Sequence, residues 1–227
     1  MLRHHSLALA LLGFALGFAL PAGRAFGQLT ISLASTTANP GAAVTVPLSL
    51  ATTGPLASGL QWTMSYPPGQ ITGISVSAGP SAPNKVVQCV PGTGYASCLL
   101  VGMNNSSINT GAAAWVTFTM APAATTTTVA VTGPVAVAPN GSALSVAGAG
   151  AQLTVPGISS LSCAPTVLGA GATSNCTIAL TTPAAPGGSA VALYSNNGLL
   201  TVPGYVTVPA GASSVVISAT APSVSGV

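Results

Sequence analysis

The run Val44-Thr45-Val46-Pro47-Leu48-Ser49-Leu50 decides the fold class. Apolar side chains at 44, 46, 48 and 50 alternate with Thr, Pro and Ser, and a period of two sends alternate side chains to opposite faces of an extended chain. The segment therefore reads as a half-buried β-strand. The same pattern recurs at Leu60-Trp62-Met64-Tyr66, Ile71 to Val76, Val116-Phe118-Met120, Val129-Val131 and Leu153-Val155. Turn-forming clusters lie between these runs: Asn39-Pro40-Gly41, Pro67-Pro68-Gly69 and Pro139-Asn140-Gly141. This spacing predicts an all-β sandwich of about nine strands between Leu29 and Val155. Thr125 to Thr128 reads as the lead-in to the strand at Val129, since Thr is a good strand former. No helical stripe is present, and 27 Gly and 19 Pro in 227 residues leave little room for one.

Charge is nearly absent: Lys+Arg 3, Asp+Glu 0, His 2. Arg3, His4, His5 and Arg24 all precede residue 28, so the chain after that point carries one charged side chain, Lys85. General acid–base catalysis needs a group that exchanges protons near working pH, and no Asp, Glu or His is there to do it. The expectation is a non-catalytic protein with no cofactor and no metal site built on imidazole or carboxylate. A Ser–Lys dyad on Lys85 has no motif around it. One cation cannot neutralise a row of phosphates, which argues against a nucleic-acid partner.

Met1 to Gly27 has the order of a secretory signal peptide. Arg3 marks a basic start, Ser6 to Leu20 is an apolar run, and Ala25-Phe26-Gly27 supplies a small-residue cleavage site before Gln28. The apolar run falls short of the ~20 residues that a membrane span requires, and no later segment reaches that length. The expected location is extracellular or on the cell surface. Four cysteines suit that route, and Cys89 with Cys98 and Cys163 with Cys176 form two local pairs. Three connectivities are possible. The sequential one is favoured because Pro91-Gly92-Thr93-Gly94 would fold the first pair into a hairpin, each bridge then contributing about 2–3 kcal/mol on an entropic estimate.

Pro156-Gly157 reads as a boundary, giving units at 28–155 and 157–227. Six short strands are expected in the second: Ile158 to Ala164, Ser174 to Leu180, Ala190 to Tyr194, Leu199 to Val202, Tyr205 to Val208 and Ser214 to Ala219. Asn197-Gly198 is a type I′ hairpin signal, which requires positive φ at both positions. Six strands with no closing partner predict an apolar, uncharged edge and a unit that continues past Val227.

Residues 28 to 155 resemble a cohesin domain, a nine-stranded jelly-roll sandwich related to carbohydrate-binding modules. The likeness rests on Asn39-Pro40-Gly41-Ala42-Ala43-Val44-Thr45-Val46-Pro47-Leu48, on Leu60-Gln61-Trp62-Thr63-Met64-Ser65-Tyr66-Pro67, on Gly111 to Met120 and on Asn140-Gly141-Ser142 to Val155. Pro67 stands where cohesins usually have Asp, and Gln61 where dockerin-binding members often carry an acid or Asn. The second unit is similar to a bacterial immunoglobulin-like repeat through Ala184-Ala185-Pro186-Gly187-Gly188-Ser189-Ala190-Val191-Ala192-Leu193 and Val206-Thr207-Val208-Pro209-Ala210-Gly211-Ala212-Ser213-Ser214. Such repeats are commonly spacers. The first resemblance implies an extracellular scaffold that docks a dockerin-like protein in a polysaccharide-degrading assembly. Direct polysaccharide binding and a purely structural surface segment are the other two readings.

Alternation also defines a candidate face. With Leu60, Trp62, Met64 and Tyr66 inward, Gln61, Thr63 and Ser65 point outward; with Val116, Phe118 and Met120 inward, Trp115 and Thr117 point outward. The cohesin resemblance is taken to make these two strands neighbours, which would set Trp115 beside Gln61 and Thr63. An exposed Trp amid hydroxyl and amide groups suits stacking on a sugar ring or anchoring an interface. Tyr95 near the hairpin tip and Asn104 in the following loop are further candidates.

Overall fold

The structure, a computed structural model, describes residues 28–223. Met1 to Gly27, read above as a signal peptide, and the chain end at Val227 lie outside the described residues. All regular structure within them is β, with no helix.

Residues 29–154 form two facing sheets. The strands are β1 (Leu29–Leu33), β2 (Thr36–Thr37), β3 (Ala43–Thr52), β4 (Gly59–Ser65), β5 (Ile71–Ala78), β6 (Val86–Gly92), β7 (Tyr95–Val101), β8 (Gly111–Met120), β9 (Thr127–Val137), β10 (Ala143–Leu144), β11 (Val146–Ala149) and β12 (Ala151–Thr154). One sheet has the order β11-β1-β3-β8-β5; the other runs β2-β12-β9-β4-β7-β6, with β10 also on β9. About nine strands were expected, and residues 29–154 make twelve segments: the first and last runs each change sheet part-way, and the two-residue β10 is added on β9. β1 pairs with β11 in the first sheet and β2 with β12 in the second, both in parallel. The first and last runs thus cross between sheets side by side, tied where the Gln152 N–H donates to Ser35 Oγ at 2.9 Å. Glycine permits the crossing: a β-carbon at Gly150 would overlap the Val129 carbonyl oxygen.

The core is the sum of the inward faces. Trp62, Phe118, Leu48, Leu60, Met64 and Leu153 are all essentially inaccessible, each contributing roughly 1.5–3 kcal/mol by leaving water. This packing corrects one expectation. β4 and β8 are not neighbours: β4 pairs with β7 and β9, and β8 with β3 and β5, in opposite sheets. The physical reason is that Leu60-Trp62-Met64 and Val116-Phe118-Met120 both bury inward and both belong to one core cluster. Two such stripes can fill the same interior from opposing walls, so their outward residues face away from each other.

The Cys89–Cys98 bridge joins directly opposed residues of β6 and β7, and the two-residue turn at Thr93-Gly94 closes the expected hairpin, with Gly94 at φ 76°. Cys163–Cys176 likewise joins opposed residues.

Beyond Pro156 lie β13 (Ile158–Ala164), β14 (Thr173–Leu180), β15 (Ser189–Ala192), β16 (Tyr205–Val208) and β17 (Ser214–Thr220). They make a three-stranded sheet, β13-β14-β17, and a two-stranded one, β15-β16, around a second, smaller core that includes Ile178, Val191, Val208 and Ile217. The expected strand at Leu199 to Val202 is not formed. Ala192 pairs with Tyr205, which leaves residues 193–204 as a loop with one isolated bridge, Thr201 to Thr220. Nor do Asn197 and Gly198 adopt positive φ. The Asn197 side chain instead accepts the Leu199 N–H at 3.0 Å, a local turn that needs no I′ geometry. Ile158, Leu161 and Val216 are exposed on this sheet. A cavity of about 300 Å³ opens beside it, lined by Leu161, Leu193, Tyr194, Leu200, Val202 and Ile217 among others.

Candidate functional site

The outer surface of β9-β4-β7-β6 is a four-strand grid whose rows follow from register. Gln61 lies between Val135 and Leu99, and Leu99 pairs on its far side with Gln88. Thr63 lies between Thr132 and Ser97, with Val90 beyond; Ser65 lies between Ala130 and Tyr95, with Gly92 beyond. At the other end Val137 pairs with Gly59 and Val101 with Val86. Gly59 leaves a notch, since a β-carbon there would stand 3.1 Å from Val137 Cγ2 and 3.6 Å from Val101 Cγ1. The notch belongs to a depression of about 110 Å³ that also takes in Gln61, Leu99 and Val135.

A bulge builds this surface. Gly133, at φ 55°, and Pro134 together stand where one residue would oppose Trp62, because the register shifts between Gln61 and Thr63. Pro lacks the N–H that a ladder position needs and is suited to a bulge. The extra residue resets the alternation, so Ala136 is buried while Val135 and Val137 turn outward. Six large side chains are exposed on the grid: Val86, Val90, Tyr95, Leu99, Val135 and Val137, with Val90 at 70 %. The middle is held by hydroxyls. Thr63 Oγ1 and Ser97 Oγ share a hydrogen bond of 2.8 Å, and Thr132 Oγ1 donates to the Thr63 carbonyl at 3.4 Å. No charged side chain lies on the grid.

Four of the seven sequence-derived candidates, Gln61, Thr63, Ser65 and Tyr95, come together here. Tyr95 folds over its neighbour: its ring occupies the space that a β-carbon on Gly92 would fill. Trp115 and Thr117 are on the outer surface of the opposite sheet. Trp115 is 39 % exposed between Pro47 and Ser77, and Thr117 Oγ1 shares a 2.7 Å hydrogen bond with Thr45 Oγ1. That surface also offers hydroxyls around a single aromatic ring, but not those of Gln61 and Thr63.

Asn104 belongs to neither surface, and its amide is already engaged. Its Oδ1 accepts from Lys85 Nζ and from the Ser106 N–H, both at 3.1 Å, and its Nδ2 donates to the Asn84 carbonyl at 3.0 Å. Lys85 Nζ also donates to the Asn104 carbonyl at 3.1 Å. The lone cation among the described residues is thus buried, at 5 % exposure, as a peg for the loop after β7. Its neighbour Asn84 takes a φ of 58° at that corner, a conformation Asn tolerates better than most residues. Among the described residues no cluster of metal-ligating side chains occurs, and all four cysteines are paired.

The residues that sequence reasoning missed are the exposed apolar ones, Val86, Val90, Leu99, Val135 and Val137. For Val135 and Val137 the Gly133-Pro134 pair was the available signal, because it marks where strict alternation fails.

No protein-family model matches the chain, and no curated protein sequence matches it. Solved structures do. The cohesin of a type I cohesin–dockerin complex from Clostridium thermocellum aligns at TM-score 0.51 and 11% identity, covering 56% of this chain and 99% of its own. The sixth cohesin of scaffoldin B from Acetivibrio cellulolyticus, in complex with a Cel5 dockerin mutant, aligns at 0.49 and 18% identity over 56% and 99%. A non-cellulosomal cohesin from the archaeon Archaeoglobus fulgidus aligns at 0.47 and 17% identity, over 56% and 91%. At these identities the likeness is one of fold, and the fold is the helix-free cohesin jelly roll.

Proposed function

We propose that the chain is a non-catalytic, exported scaffold protein whose β9-β4-β7-β6 surface docks a protein partner. One observation carries this reading: six exposed large side chains are gathered in register on an uncharged grid around the Thr63–Ser97 hydroxyl pair. A sheet normally turns hydroxyls and charges to water, and large apolar side chains clustered on an exposed face mark a surface that another molecule covers. The solved Clostridium thermocellum cohesin is a complex with a dockerin, and a partner of that kind is the first expectation here. With no charge on the grid, the partner's contact surface would be apolar and hydroxyl-bearing, not basic or acidic. Two cross-strand disulfides fit an oxidising, extracellular or cell-surface setting. A polysaccharide-degrading assembly would be a natural context. The second unit serves as an immunoglobulin-like spacer in this reading.

A second reading keeps direct polysaccharide binding, favoured by Trp115 standing exposed on the opposite sheet between Pro47 and Ser77. The separation of the two surfaces makes the readings separable. The test compares wild type, Leu99→Lys and Trp115→Ala for capture of partners from the secreted proteins of the source organism and for co-sedimentation with insoluble polysaccharides. Docking predicts one defined polypeptide retained by wild type and Trp115→Ala and lost from Leu99→Lys. Sedimentation that Trp115→Ala abolishes and Leu99→Lys preserves would support the glycan reading instead. A purely structural segment would show neither.

A further inference from the structure

The two units touch at a point remote in sequence from the chain connection between them. Asn39 Nδ2 donates to the Gly188 carbonyl at 2.7 Å, and Asn39 Oδ1 accepts from Ser189 Oγ at 2.8 Å, with both bonds partly buried. Each partner sits in a turn of the same construction. Asn39-Pro40-Gly41-Ala42 is closed by the Ala42 N–H donating to the Asn39 carbonyl at 3.1 Å, with Gly41 at φ 74°. Ala185-Pro186-Gly187-Gly188 is closed by the Gly188 N–H donating to the Ala185 carbonyl at 2.9 Å, with Gly187 at φ 90°. Pro at the second position and a positive-φ Gly at the third are the marks of a type II turn, among the stiffer short connections a chain can make.

Gly188 is fixed further. Its φ is 83°, and a β-carbon there would lie 2.8 Å from the Val208 carbonyl oxygen and 2.9 Å from Thr207 Cγ2. Conformation and space both demand glycine, so the carbonyl that Asn39 binds has little freedom to move.

The connection is pinned on both sides as well. The Val155 N–H donates to Thr126 Oγ1 at 3.0 Å, which fastens it to the first unit. The Gly157 N–H donates to Thr181 Oγ1 at 3.0 Å, and the Thr181 N–H donates to the Gly157 carbonyl at 2.8 Å, which fastens it to the second. Units joined by one covalent connection move relative to each other by default. A connection held at both ends, plus a second contact elsewhere on the interface, removes the bending and twisting that a single hinge allows.

We infer that residues 28–223 behave as one rigid body, with the Asn39 carboxamide as the latch that fixes the angle between the units. The second unit is then an arm that presents the first at a set orientation, not a flexible tether. This holds whether or not the grid docks a protein, because it rests on the junction alone.

The test is residual dipolar coupling of the full chain, weakly aligned in a neutral medium. The wild type should need one alignment tensor for the amides of both units. Asn39→Ala should lose that shared tensor, the two units then fitting separate ones, while amide shifts near Trp62 and Ile178, in the cores of the two units, stay in place. Asn140→Ala is the control, since that side chain bonds only within its own turn to Ser142; it should keep the single tensor. Should Asn39→Ala fail to fold, Ser189→Ala removes one of the two latch bonds and should weaken the shared alignment in the same direction. Two tensors in the wild type, or one tensor retained in the latch variants, would overturn the inference.

Discussion

Replacing Cys89 and Cys98 together by Ala, with Cys163–Cys176 left intact, tests what holds the edge of the grid. β6 pairs with β7 on one side only, so its in-sheet anchorage is one ladder plus the bridge between Cys89 and Cys98. The bond spans a sequence separation of 9. A loop of that size removes roughly 9 cal/mol/K of denatured-state entropy, or about 2.6 kcal/mol at 25 °C. The double variant should therefore lose about 2–3 kcal/mol in urea unfolding. Both tryptophans, Trp62 and Trp115, lie in the first unit, so their fluorescence follows this sandwich alone. Hydrogen exchange should show protection falling most in Val86–Gly92 and least in the central β4. A loss under about 1 kcal/mol, or a uniform fall in protection, would refute the view that the bridge secures the edge of the surface.

Other outcomes follow from the same structure. From Gln28 onward there is no Asp, Glu or His, so the melting temperature should be nearly flat from about pH 4 to 9. Burial raises the Tyr66 hydroxyl above its ordinary value of 10.0. The unfolded state therefore loses that proton first, and stability should begin to fall as the pH climbs past about 10. Trp62→Ala should cost about 3–5 kcal/mol because the ring is wholly buried, whereas Trp115→Ala on the outer surface should cost less than about 1 kcal/mol by the same urea assay. Gly79→Ala should destabilise by about 1–3 kcal/mol, since the new methyl would overlap the Ala112 carbonyl oxygen; Gly204→Ala, with open space around it, should change stability by less than about 0.5 kcal/mol.

Much of the fold was legible because its signals are local. Alternation at Val44 to Leu50 and Leu60 to Met64 marked which residues enter the core, and Val46, Leu48, Leu60, Trp62 and Met64 are indeed buried. The local disulfide pairing followed from the hairpin turn at Thr93-Gly94. What the alternation could not carry was sheet assignment. A strand reports which of its faces is apolar, but two strands with identical patterns fit equally well beside each other or across the core from each other. With alternation silent on this point, the adjacency of Trp115 and Gln61 rested on the cohesin resemblance alone, and Trp115 lies on the opposite wall. The second limit was register: one extra residue at Gly133-Pro134 sends Val135 and Val137 outward, and a period-two reading of β9 has no means of seeing it. In the second unit, Asn197-Gly198 matched a hairpin dipeptide, but Ser195 and Asn197 satisfy that loop through side chains, and Leu199 to Val202 never joined a ladder.

The most direct measurement is site-specific photocrosslinking of the full chain, with the photoreactive residue at Thr63 in one variant and at Thr117 in another. Docking on the β9-β4-β7-β6 surface predicts an adduct with one defined secreted polypeptide from position 63 and none from position 117. An adduct from position 117 alone, or no protein adduct alongside polysaccharide sedimentation that Trp115→Ala abolishes, would contradict it.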